Sequence, residues 1–231
     1  MIPIGDDNSG RTLTPYINYL LIAINVLVFV FAQGMGSNEN FIMSFATVPE
    51  EILNNRDITG GGLGKTPIPV YGTIITSMFM HGGFAHIIGN MMYLLIFGDN
   101  LENVMGHARY LAFYLLCGVL ATLAHVYMSS YTNTGMYTPS LGASGAIAGV
   151  LGGYILLFPK NKIRVFLIPF IIRVNAFIAL GLWIALQVIE GWGAMGREGS
   201  GIAYAAHVGG FVAGLILVHF FVKRQLVRAR Y

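Results

Sequence analysis

The sequence predicts an all-α integral membrane protein, a bundle of six transmembrane helices with one long outer first loop. Three observations predict it. Of 231 residues, 55% are hydrophobic and only 10% charged, against about a quarter charged in soluble domains. Six stretches approach the roughly 20 apolar residues that a bilayer crossing needs, and none of them holds an Asp or Glu. The chain also carries 30 glycines, and close helix contact in lipid relies on small residues. A soluble globular class is excluded. The net charge of +3 is small, and no nucleic-acid partner is expected from it.

The elements follow in order. The opening MIPIGDDNSGRTLTP is polar and short. It has neither the basic start and apolar core of a cleaved signal peptide nor the arginine richness of a transit peptide, so the first span, about 15–33, is expected to be retained. Gly34 to Tyr71 includes NNRDITGGGLGKTPIP. It is too long for a simple connection and too poor in apolar periodicity for a span, which is the mark of a functional loop. The remaining spans cover about 74–97, 109–128, 143–158, 174–189 and 203–222. The link from Tyr131 to Leu141 is short and uncharged, whereas GWGAMGREGSG, between the last two spans, is flexible by its glycines, and it and the fifth span beside it are candidate gates. No second domain or whole-domain repeat is visible, so 1–231 reads as one domain. Cys117 is the only cysteine, which rules out a disulfide framework and suits a small apolar packer.

Lysine and arginine set the orientation. With a cytoplasmic N-terminus, the inside holds Arg11, Arg109, Lys160, Lys162, Arg164, Arg173, Lys223, Arg224, Arg228 and Arg230, and the outside only Arg56, Lys65 and Arg197. Both termini are therefore expected in the cytoplasm and the long loop outside. This topology gives depth. Ser144 stands 15 residues before Pro159, and His207 16 before Lys223. At 1.5 Å per residue they lie about 22 and 24 Å above the inner boundary, at one depth on two helices running the same way. Gly145, Gly149 and Gly153 form one small-residue stripe, and Gly210 and Gly214 another. Such stripes let helix backbones approach closely, which would bring hydroxyl and imidazole within reach.

Ser144, flanked by Gly142 and Gly145, has an uncrowded hydroxyl. Its own N–H and that of Gly145 open a helix, where amides can bind an anion. In the second span His86 and Asn90 are four apart on one helical face. Both are hydrogen-bond donors, at a depth that suits an oxyanion hole. His81 is expected near the outer interface as a structural hydrogen-bond former. His107, His125 and His219 are read as structural. A metal site from His81 and His86 lacks both an HExxH pattern and an acidic partner.

GASG in the fourth span, AHVGGFVAG in the sixth and His-x4-His-x3-Asn in the second together resemble the rhomboid intramembrane serine proteases, in span order across about 15–222. The resemblance implies Ser144 as nucleophile and His207 as general base. It also implies His86, Asn90 and the Ser144 and Gly145 N–H groups on the oxyanion side. The family cleaves transmembrane substrates in the bilayer near its outer face, without metal or cofactor. By resemblance, the compact six-span core fits a bacterial plasma membrane. Two positions depart from the family. A Trp–Arg pair common in its first loop is here Gly72 and Thr73, and an aromatic that some members pack on the catalytic imidazole is here Ala148.

Taken without the resemblance, the residues support a Ser–His dyad. A serine hydroxyl needs a base, and the spans contain no carboxylate to complete a triad. The main rival is an inert rhomboid-like protein that binds membrane helices, and retention of both Ser144 and His207 argues against it. A small transporter would show inverted repeats or broken helices with midplane ligands, and neither is evident.

Overall fold

A computed structural model describes residues 2–167, 169–194 and 204–223. The glycine-rich candidate gate beyond Ala194 lies outside the described residues, as do Arg197, Arg224, Arg228 and Arg230 of the charge count. The chain is mostly helical, and each of the six expected segments contains a helix. Helix α1 (Tyr16–Leu27) continues through a wider-wound turn, Val28–Ala32. Three helices are long and apolar enough to cross a membrane: α6 (His107–Thr132), α8 (Ala176–Ala194) and α9 (Tyr204–Phe221). A fourth crossing is added if one bent pair counts as a span, while Tyr16–Ala32 and Ser144–Leu157 are apolar but shorter.

The bent pair corrects the expected continuous second span. The helical stretch Val70–Phe79, with α4 (Thr73–Thr76) at its centre, meets α5 (Phe84–Met105) at 80°. The break falls at Met80-His81-Gly82-Gly83, with Gly83 fully extended (φ 161°, ψ 176°) before α5. Paired glycines favour leaving the helix, but a break also orphans backbone polar groups. Gln33 resolves this: its Nε2 donates to the His81 carbonyl and its Oε1 accepts the His81 N–H, both at 2.9 Å.

At its other end α5 runs past residue 97 and carries Asp99 and Glu102, both buried. The carboxylates absent from the expected spans are inside this helix because the N-terminal arm partners them. Arg11 pairs with Asp99 at 2.7 Å. The Thr12 and Leu13 N–H groups donate to Asn103 Oδ1, each at 2.9 Å. Glu102 accepts the N–H groups of Ile17 (3.0 Å) and Asn18 (2.7 Å). It thereby supplies, from a distant helix, the capping oxygens and negative charge that a helix start favours.

Helix α7 (Ser144–Leu157) is the central element. Every residue from Gly145 to Ile155 is buried, as expected of a helix apolar all round. Gly210 and Gly214 of α9 sit against the carbonyls of Gly145 and Gly149, and Gly152 of α7 sits against that of Phe211. The glycine stripes thus mark the α7–α9 crossing, with Gly152 rather than Gly153 as its third member. Gly153 faces Leu101, Phe113 and Val218.

The sequence reading missed a sheet. Strands β1 (Ile2–Gly5), β2 (Lys162–Leu167) and β3 (Phe170–Asn175) pair antiparallel in that order. Ile163 and Val165 are buried while Lys162 and Arg164 are exposed, a period of two that fits a strand with one covered face. The fifth helix consequently starts at Ala176, with Val174 and Asn175 in β3.

Candidate active site

Ser144 is the first residue of α7, so its N–H is among the donors that a helix start leaves without an internal partner. The chain reaches it through Gly142, whose φ of +134° is a conformation that side chains rarely adopt. The Gly142 N–H donates to the Ser77 carbonyl at 2.9 Å. From α9, His207 Nε2 lies 2.8 Å from Ser144 Oγ. Both residues are half-buried. The helix crossing that makes this contact is the glycine-on-carbonyl packing just below it.

The other ring nitrogen, His207 Nδ1, lies 2.6 Å from Gln187 Oε1 of α8. An amide oxygen only accepts, so Nδ1 carries the proton. Nε2 of the neutral ring then accepts from the Ser144 hydroxyl. Trp183, one turn before Gln187, brings its ring to 6.0 Å from the imidazole and 6.3 Å from Phe211. Sequence reasoning missed Gln187. Its available signal was a lone uncharged polar residue inside LWIALQVIEG, one turn after a tryptophan.

His86 and Gly142 adjoin the serine. A Cβ at Gly142 would lie 2.9 Å from His86 Nε2 and 3.5 Å from Ser144 Oγ. The Gly82 N–H donates to His86 Nδ1 at 3.3 Å, which leaves Nε2 as the N–H of the neutral ring, on the serine side. Asn90 is 8% exposed, and its Nδ2 has no partner among the described residues. No hydrogen bond joins it to Ser144 or His86 among the described residues. His81 is not the expected hydrogen-bonding side chain. It is wholly buried, edge-on to His86 at 5.1 Å, and neither ring nitrogen has a partner among the described residues. The structural bonds at this position are made by its backbone.

The first loop is held without a Trp–Arg pair. Thr47, between α2 (Glu39–Phe45) and α3 (Pro49–Asn54), exchanges backbone hydrogen bonds with Ser140 at 3.0 and 2.7 Å. Its hydroxyl lies 2.9 Å from both the Thr73 carbonyl and Ser77 Oγ. On α3, burial raises the Glu51 carboxyl above its ordinary range, and nearby Asp57 adds to this, while the N–H of Ile58 partly offsets it. Among the described residues, no three His, Cys, Asp or Glu side chains gather as a metal site.

The family model for the Rhomboid domain matches residues 70–224. Similar proteins include Rhomboid protein 1, mitochondrial, of Saccharomyces cerevisiae, 29% identical over 92% of this chain and 55% of its own length. The human Presenilin-associated rhomboid-like protein, mitochondrial, is 28% identical over 87% of this chain and 47% of its own. Rhomboid protease GluP of Bacillus subtilis is 28% identical over 87% of this chain and 34% of its own. The chain thus spans about half the length, or less, of these relatives.

Proposed function

The chain belongs to the rhomboid family, and on that premise we propose that it is an intramembrane serine endopeptidase that hydrolyses transmembrane substrates near the outer membrane face. The observation that carries the reading is the 2.8 Å contact between His207 Nε2 and Ser144 Oγ, in a ring whose tautomer makes Nε2 the acceptor. In the first step Ser144 Oγ attacks the scissile carbonyl carbon and its proton passes to Nε2. The carbonyl oxygen becomes an oxyanion. Its stabilisers are the Ser144 and Gly145 N–H groups, His86 Nε2–H and the otherwise unpaired Asn90 Nδ2. The C–N bond then breaks, and Nε2–H gives its proton to the leaving amine. Water, with its proton taken by the same nitrogen, hydrolyses the acyl-enzyme. General base catalysis of this kind contributes about 10²–10⁴-fold, and each oxyanion donor about 10²–10³-fold in soluble hydrolases.

The reading treats 1–231 as one rhomboid-type domain of six spans, both termini cytoplasmic and the first loop outside, in a bacterial plasma membrane. The distribution of Lys and Arg supports the orientation; the relatives are bacterial in one case and mitochondrial by name in two, so the compartment rests on the compact six-span core. No metal or cofactor has a part in the mechanism. A fluorophosphonate probe tests it: Ser144 should label, and labelling should vanish in Ser144→Ala and His207→Ala proteins that remain folded. An unlabelled wild-type protein would instead favour a helix-binding role without catalysis.

A further inference from the structure

Apart from its bond to Ser144, the contacts of the His207 imidazole among the described residues come from α8. There are two, the Nδ1 bond to Gln187 at 2.6 Å and the Trp183 ring at 6.0 Å. They lie one turn apart and so on one face of that helix. Ala148, one turn after Ser144 on α7, has no ring or polar group to offer. We propose that Gln187 is a positioning residue, which fixes His207 in the orientation and tautomer that present the Nε2 lone pair to Ser144. The inference rests on the serine-hydrolase reading above.

A neutral imidazole has one N–H, and only one of its two tautomers can take the serine proton. With an acceptor-only oxygen at Nδ1 the proton is held there. Without it, the ring is free to carry its proton on Nε2, where it points at Oγ and cannot act as base. After proton transfer both ring nitrogens carry hydrogen, and the Nδ1–H bond to Gln187 remains made through the step. A carboxylate could do the same and stabilise the imidazolium more. It would, however, place a charge among apolar helices, where charges are costly. A glutamine gives the orientation without that charge. In soluble triads, spoiling the acid's control of the tautomer lowers turnover by about 10⁴. A neutral acceptor on a partly exposed ring contributes less, about 10–10²-fold.

The test is the rate of fluorophosphonate labelling of Ser144 in detergent, from about pH 3.5 to 9, a range wider than that of ordinary histidine titration. Wild type, Gln187→Leu and Gln187→Glu are compared, with Ser144→Ala as blank and the unfolding temperature of each recorded. Gln187→Leu should label about 10–10²-fold more slowly on the pH plateau while unfolding near the wild-type temperature. Gln187→Glu keeps an acceptor oxygen, so it should recover most of the rate. Its acid limb should move to higher pH, because the carboxylate favours imidazolium and keeps the base protonated longer. A residue 187 that does not reach Nδ1 would leave that limb unmoved. Wild-type labelling rates in Gln187→Leu, or an unmoved limb in Gln187→Glu, would overturn the proposal while leaving the hydrolase reading intact. Should the leucine variant fail to fold, the glutamate limb decides. No labelling of wild type would overturn both.

Discussion

Asn90 keeps a buried amide nitrogen without a partner, and an unmade donor in such a place costs stability. In the proposed mechanism the substrate oxyanion becomes that partner. Asn90→Ala should therefore lower turnover about 10–10²-fold, less than a full oxyanion donor because the Ser144 N–H remains and water can substitute. Apparent substrate binding should hardly change, as for a contact made only in the transition state. Turnover and thermal unfolding, measured in one detergent, check it: a large fall in unfolding temperature with activity per folded molecule retained would assign Asn90 to structure. Much of this site was legible in the sequence. Ser144 and His207 could be paired because their helices run the same way and end at basic residues that act as depth marks. Gln187 was not legible, since hydropathy shows that α8 is apolar but not which way it is rotated. His81 was misread because spacing places a histidine without showing that its backbone, and not its ring, does the bonding.

Among the elements, the crossing of α7 and α9 leaves the least room. A Cβ on Gly214 would run into the Gly149 carbonyl, and backbone cannot step aside as a flexible side chain does. Gly214→Ala should destabilise by about 1–3 kcal/mol, the usual cost of overpacking. It should also slow Ser144 labelling, because parted helices pull His207 away. Gly89→Ala, on a helix face with open space, should do neither. Denaturation in mild detergent together with labelling rates would decide. In the first loop, Glu51 has a raised carboxyl pKa through burial. Its charged form is the disfavoured one in the fold, so stability is lost as pH rises past its ordinary range. Glu51→Gln should then unfold at a higher temperature than wild type near pH 7, and the gap should close toward pH 4, about where a free glutamate is protonated. Equal unfolding temperatures at both pH values would remove burial as the cause. Two elements escaped the sequence reading for physical reasons. The strands β2 and β3 lie in KIRVFLIPFIIRVN, nearly all of it in the link between the expected fourth and fifth spans, where hydropathy does not tell a strand pair from an apolar connection. The break before α5 is two glycines whose cost is met by Gln33, about 50 residues away in sequence.

Over the whole molecule, the proposed orientation rests on where the cations fall. A cysteine at Lys65, in a Cys117→Ala background, should react with an impermeant thiol reagent added outside intact cells, and one at Lys160 should not. Both positions are exposed. The reverse pattern would invert the proposed topology and the depth comparison with it. Helix-rich class and family were readable from composition and three motifs. The closing of the bundle at its Asp99–Glu102 end was not, because it depends on buried carboxylates that the sequence places at the edge of a span.

That closure bears on the order in which the protein can be made. Glu102 follows Asn18 by 84 residues, so a ribosome releases the first helix well before the carboxylate that caps it exists. Helix α1 must therefore wait in the bilayer with its leading amides served by interfacial water, and it docks only once α5 is complete. A cysteine at Leu21, buried in the finished protein, should stay open to a membrane-permeant maleimide in stalled nascent chains that end before Asp99. It should close in chains that extend well past Tyr114. The first helix to be synthesised is in this sense seated only after α5 has followed it.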